Sequence, residues 1–125
     1  MLSLLLISPD KKSFADMARA LDAYDDVELN WADSGAKAVD IASKTAIDLA
    51  ISDEHLGDMT GLEFATRLIS LNPMINCAVA SALSKEKFHE ASEGMGLMPQ
   101  LPLRPGVNDT EEMLKNLRTI KGLLS

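Results

Sequence analysis

The chain of 125 residues has a single cysteine, Cys77, which excludes an intrachain disulfide or a cysteine-based metal site. Cys77 lies in an apolar stretch, where a lone thiol packs as a small hydrophobe rather than serving as a nucleophile. Basic runs are short too, none exceeding Lys11-Lys12, and the net charge is −7 with an isoelectric point near 4.7. A phosphate backbone rewards clustered Lys and Arg, so this balance argues against direct binding of nucleic acid. No apolar run is long enough for a membrane span. Met1–Ile7 is apolar but short, and it has neither a basic lead nor a cleavage site. The chain therefore reads as soluble and cytoplasmic, without membrane attachment. Repeats, linkers and low-complexity segments are missing, so residues 1–125 form one domain with no output domain attached.

What is present is globular: 46% hydrophobic residues against 25% charged. Apolar runs alternate with helical patterns, which predicts a parallel sheet covered on both faces. The first strand is about Leu2–Ile7, followed by Ser8-Pro9 as a helix start, serine at N-cap and proline at the first helical position. Asp10 then complements the helix dipole, and Phe14, Met17, Ala18 and Leu21 form the buried stripe. A second strand at Val27–Trp31, with Trp31 packing at the sheet edge, leads through Asp33-Ser34-Gly35 into a helix with Val39 and Ala42 inward. Leu49–Ser52 is the third strand, and Thr60-Gly61-Leu62-Glu63 is a capping box opening a helix that Asn72-Pro73 stops. A fourth strand near Asn76–Ala80 precedes a polar helix capped by Ser84, with Phe88 its only large apolar residue. Pro99–Leu103 reads as a fifth strand, confined by Pro102 to the sheet edge. The last helix opens at Asp109 and carries Met113, Leu114, Leu117, Ile120 and Leu124. The pattern is a (βα)5 α/β fold: a flavodoxin-like, doubly wound parallel five-stranded sheet of order 2-1-3-4-5.

In such sheets sites form beyond the carboxyl ends of the strands, where strand order reverses. That crevice lies between the first and third strands. Ser8, Pro9 and Asp10 stand on one wall and Asp53 on the other, while Ser81 closes the fourth strand and Arg104 the fifth. His55 and His89 lack partners at metal-ligand spacing and read as solvated residues. Pro99-Gln100-Leu101-Pro102-Leu103-Arg104 matches a polyproline-ligand pattern by chance, since a folded sheet would hide it.

Asp48-Leu49-Ala50-Ile51-Ser52-Asp53 followed by Met59-Thr60-Gly61, then Val79-Ala80-Ser81-Ala82, then Leu103-Arg104-Pro105, together resemble the receiver domain of two-component response regulators (CheY-like) over nearly the whole chain. The resemblance implies that Asp53 accepts a phosphoryl group, Ser81 is the switch hydroxyl and Arg104 is the phosphate-pairing cation in place of lysine. It also implies a Mg²⁺ held by Asp53, by the backbone carbonyl of His55 and by an acidic pair after the first strand. Here that pair is Ser8 and Pro9, so Mg²⁺ is expected to be weak or absent, with Asp10 the only carboxylate near enough to compensate. Leu101 stands where the family often has an aromatic residue that moves with the switch hydroxyl. The implied partners are a sensor histidine kinase or phosphotransfer protein and a downstream effector protein, with homodimerisation left open. No enzymatic activity is expected beyond slow self-phosphorylation and dephosphorylation. The rival reading is a pseudo-receiver, a docking module indifferent to phosphate, and a third is a small flavodoxin-like enzyme or nucleotide binder. The third is disfavoured because no Gly-rich phosphate loop follows the first strand.

Overall fold

The computed structural model describes residues 1–124, with side chains as far as Gly122. Strands β1 (Leu2–Ile7), β2 (Val27–Ala32), β3 (Leu49–Ser52) and β4 (Asn76–Val79) form one parallel sheet in the order β2-β1-β3-β4. Pairing puts Ile7 beside both Ala32 and Ser52, and Ser52 beside Val79, so four strands finish at one level. Side chains along a strand alternate between faces, and here both faces are buried. Leu4 and Leu6 enter one core with Phe14, Met17, Leu21 and Leu117, under α1 (Ala15–Asp22) and α5 (Val107–Leu124). Leu5 and Ile7 enter the other with Ala38, Phe64 and Leu68, under α2 (Gly35–Lys44) and α3 (Gly61–Leu71). Phe88, buried as expected, anchors α4 (Lys85–Ser92) to that second core. Trp31 is half-buried on the edge strand β2. Cys77 is buried too, and burial pushes its thiol up to about 12, which keeps it protonated and inert. Among the described residues no helix is long and apolar enough to cross a membrane.

Two elements depart from the sequence reading. The expected fifth strand is reduced to one bridge between Leu101 and Ala80, on the outer edge of β4. The Leu101 N–H donates to the Val79 carbonyl at 3.2 Å, and the Ser81 N–H donates to the Leu101 carbonyl at 3.0 Å. Pro99 and Pro102 remove two donors from this short segment, and Arg104 then turns the chain away in a left-handed conformation, φ 54°. The segment keeps the fifth place in the order without extending the ladder. At the first helix, Asp10 rather than Ser8 is the N-cap. Its carboxylate accepts the Lys12 N–H at 3.0 Å, a 3₁₀ turn spans Lys11–Phe14, and Pro9 stays outside the helix. Two caps fall where the sequence put them: Thr60 and Glu63 make both bonds of the capping box, and Ser84 caps α4; Ser34, read as part of a turn, caps α2. α5 starts at Val107, two residues ahead of Asp109, whose carboxylate accepts the Gly106 N–H at 2.9 Å. The side chain of Leu124, expected on the buried stripe, lies outside the described residues.

The loop between β3 and α3 is fastened at two points. Asp58 reaches across to α2 and accepts the Gly35 N–H and the Ala36 N–H, each at 2.9 Å. These two bonds from the first N–H groups of α2 hold the Asp58 carboxyl below its ordinary range. At the far end of the loop, Gly61 packs so closely that an added Cβ would run into the Asp53 carbonyl, with Ser52 Oγ and Val79 Cγ1 each at 3.0 Å. Gly61→Ala is therefore expected to cost about 1–3 kcal/mol, read as a lowered denaturant midpoint. Because the folded state depresses Asp58, its stabilisation is present above the unfolded carboxylate pKa and is lost as pH falls through the folded one. Asp58→Ala should thus melt below the parent at neutral pH, and the gap between their melting temperatures should close in acid.

Candidate functional site

The common level of the strand ends places the next residues, Ser8 after β1 and Asp53 after β3, side by side. The Asp53 N–H donates to the Ile7 carbonyl at 2.9 Å, and the Ser8 N–H donates to the Ala32 carbonyl at 3.1 Å. Asp53 is half-buried. Its Oδ1 accepts the Glu54 N–H at 2.8 Å, and its Oδ2 lies 2.8 Å from the hydroxyl of Ser8. Ser8 is only 2% exposed, and its Oγ also stands 2.8 Å from the Asp10 carbonyl and accepts the Asp10 N–H at 3.1 Å. One hydroxyl proton serves two acceptors, so the bond to Asp53 is shared. Ser52, directly beneath, donates its hydroxyl to the Asp53 carbonyl at 2.9 Å and fixes the turn.

Ser81 is buried at the end of β4, with its Oγ accepting the Leu83 N–H at 3.1 Å. Gln100 clamps this turn, its Nε2 donating to the carbonyls of Ser81 at 3.1 Å and Leu83 at 2.8 Å. Neither Ser81 nor Arg104 is bonded to Asp53, and among the described residues the exposed Arg104 guanidinium has no partner. A non-glycine residue at positive φ carries backbone strain of about 1–3 kcal/mol, so the turn around Arg104 is held by its surroundings. The structure thus joins Ser8 to Asp53, while the Ser81 hydroxyl is occupied by the Leu83 N–H and neither it nor Arg104 reaches the Asp53 carboxylate.

The residue that the sequence reading passed over is Glu54. Its carboxylate folds inward, accepting the Ala82 N–H at 2.6 Å through Oε2, with Oε1 lying 3.4 Å from His55 Nε2. The side chain is 26% exposed, whereas that of His55 is 78% exposed. Two consecutive acids past a fully buried strand were the available signal, since the second of them must find a donor or turn to solvent. On the β2 side, Lys11 lies over the Trp31 ring, 5.2 Å from its centroid.

A Mg²⁺ wants several hard anionic oxygens in near-octahedral array. The donors here do not fit it. Both Asp53 oxygens hold hydrogen bonds, Asp10 Oδ1 caps the 3₁₀ turn, and Ser8 offers a neutral hydroxyl. Among the described residues no three His, Cys, Asp or Glu side chains group closely enough to hold a metal ion. The carbonyl of His55 sits in the loop beside its bridge to Thr60 and adds a neutral donor at most.

Comparison with known proteins agrees with the fold. The family model for the response regulator receiver domain matches residues 4–102. No curated protein matches. The fold resembles the N-terminal domain of an uncharacterized Wolinella succinogenes protein at 22% identity and TM-score 0.83, covering 100% of both chains. It also resembles a response regulator receiver domain protein from Clostridium thermocellum at 16% identity and TM-score 0.85, again over 100% of both chains. The chemotaxis response regulator CheY4 of Vibrio cholerae is 18% identical with TM-score 0.81, covering 94% of this chain and 98% of its own. At these identities the structures speak for the fold, and the family match speaks for kinship. The chain belongs to the response regulator receiver domain family, signalling domains that interact with histidine kinases or phosphotransfer proteins and with effectors in two-component systems.

Proposed function

We propose that this chain is a phosphoacceptor receiver whose acceptor is Asp53 and whose metal site is degenerate. The observation that carries the reading is the carboxylate of Asp53, set at the end of β3 between Ser8 and the turn holding Ser81. In this reading a phosphohistidine on a sensor kinase or phosphotransfer protein is the donor. An Asp53 carboxylate oxygen attacks phosphorus, the O–P bond forms as the P–N bond breaks, and the imidazole leaves with the electron pair and takes up a proton. Phosphoryl transfer needs its equatorial oxygens neutralised. The groups at hand are the Ser8 and Ser81 hydroxyls and, after a change in the loop beyond Leu101, the Arg104 guanidinium. Arginine is longer and planar compared with lysine, so it can pair an oxyanion through two N–H groups. With only these donors, acceptance is slow and depends little on Mg²⁺, and it takes place in the cytoplasm.

A second reading is favoured by one contact. The Ser8 hydroxyl on Asp53 Oδ2 satisfies the carboxylate where the family has an acidic pair, so the domain is complete as a phosphate-blind docking module. The two readings part at Asp53→Ala, which leaves partner binding unchanged only in the second.

Two measurements test the proposal. Amide NMR with Mg²⁺ and beryllofluoride, a phosphoryl mimic, is expected to shift resonances around Asp53, Ser81 and Arg104 in the parent and none in Asp53→Ala. An unchanged parent spectrum at saturating reagent would establish the docking module. In thermal melts, millimolar Mg²⁺ should barely move the parent. The double variant Ser8→Asp, Pro9→Asp crowds like charges, so it should melt lower without metal and regain several degrees with it. A clear rise in the parent would show a working metal site and sink the degenerate-site account.

A further inference from the structure

The Glu54–Ala82 contact joins the loop after β3 to the turn after β4, and among the described residues no other side-chain hydrogen bond supplies that link. Its length, 2.6 Å, is that of a charge-assisted bond, and the acidic side chain stays three-quarters covered to make it. Glu54 also walls a cavity of about 370 Å³ whose remaining lining is mostly apolar, including Leu62, Val79 and Leu83. Over a lining this apolar the Ala82 N–H is the short bond that holds the carboxylate in place, with His55 Nε2 further off at 3.4 Å. A backbone N–H at the strand ends that already carries an anion is an anion seat.

Asp53 is the neighbouring residue, and its own Oδ1 accepts the Glu54 N–H. A phosphoryl group on Asp53 would bring about two negative charges to this crevice. It would need donors from the same turn, and it would repel the Glu54 carboxylate at close range. The Ala82 N–H cannot serve both anions well. We propose that Glu54 is a built-in anion seated on the Ala82 N–H, competing with a phosphoryl group on Asp53 and expelled when that group arrives. This rests on the assignment of Asp53 as acceptor. Expulsion removes the tie between the turn at Ser81–Ser84 and the loop after β3, leaving the turn held by Gln100 and by the Ser81 N–H on the Leu101 carbonyl, and takes Glu54 off the wall of the apolar cavity. The regulation then runs through an acid beside the acceptor, in a chain where Leu101 is buried and has no ring to swing.

The test compares parent, Glu54→Ala, Glu54→Gln and Asp53→Ala by amide NMR. Without reagent, the Ala82 amide proton should move upfield in Glu54→Ala, move less in Glu54→Gln, which keeps a neutral acceptor, and hold its place in Asp53→Ala. In titrations with Mg²⁺ and beryllofluoride, the half-saturating concentration should fall about tenfold in Glu54→Ala, the worth of one charge-assisted bond no longer displaced. An Ala82 amide that ignores Glu54→Ala overturns the seat. Equal half-saturation in parent and variant overturns the competition while leaving Asp53 as acceptor. Silence of both toward beryllofluoride overturns the acceptor assignment, and the competition with it.

Discussion

The structure hangs on the register of its parallel sheet. Ile7, Ser52 and Val79 finish in one row, and every feature of the crevice follows from that alignment. Parallel ladders buried on both faces are strongly registered, because a slip of one residue would send a whole apolar set to the wrong core. Here the slip would exchange Leu4 and Leu6 with Leu5 and Ile7, which serve opposite cores. Packing energy far from the site therefore fixes which residues emerge at its mouth. Ser8 meets Asp53 because leucines beneath them are correctly placed.

Local chemistry made much of this legible in the sequence. The strands announce themselves as short apolar runs, and the Thr60–Glu63 box and the Ser84 cap are decided within four residues. The crevice between the first and third strands follows from topology alone. What depends on distant segments was not legible. Asp58 looks like an ordinary loop acid until α2 is placed beside it. Glu54 gives no sign of its N–H until the turn after β4 is brought over. Ser8-Pro9 satisfies the rules for a helix start, yet Asp10 takes the cap, since the Ser8 hydroxyl is drawn to Asp53 and to the backbone of Asp10. The fifth strand was legible in place and misread in length, for two prolines leave too few donors to continue a ladder.

The crevice departs from its family in a consistent direction. Ser8 and Pro9 stand where the resemblance implies an acidic pair, and the Asp53 carboxylate is met by the Ser8 hydroxyl and the Glu54 amide. Neutral donors hold a single carboxylate comfortably but stabilise additional charge less well than a divalent ion does. A resting state satisfied by neutral donors is the outcome.

Asp58 gives the loop a mechanical character as well. It bridges the loop after β3 to the first turn of α2, so both of its bonds must break before either segment can leave its place. Local opening in proteins proceeds in cooperative units defined by such shared bonds. The loop beside Asp53 and the start of α2 are in this sense one hinged plate, and the freedom of that loop is set by a helix that lies outside the crevice.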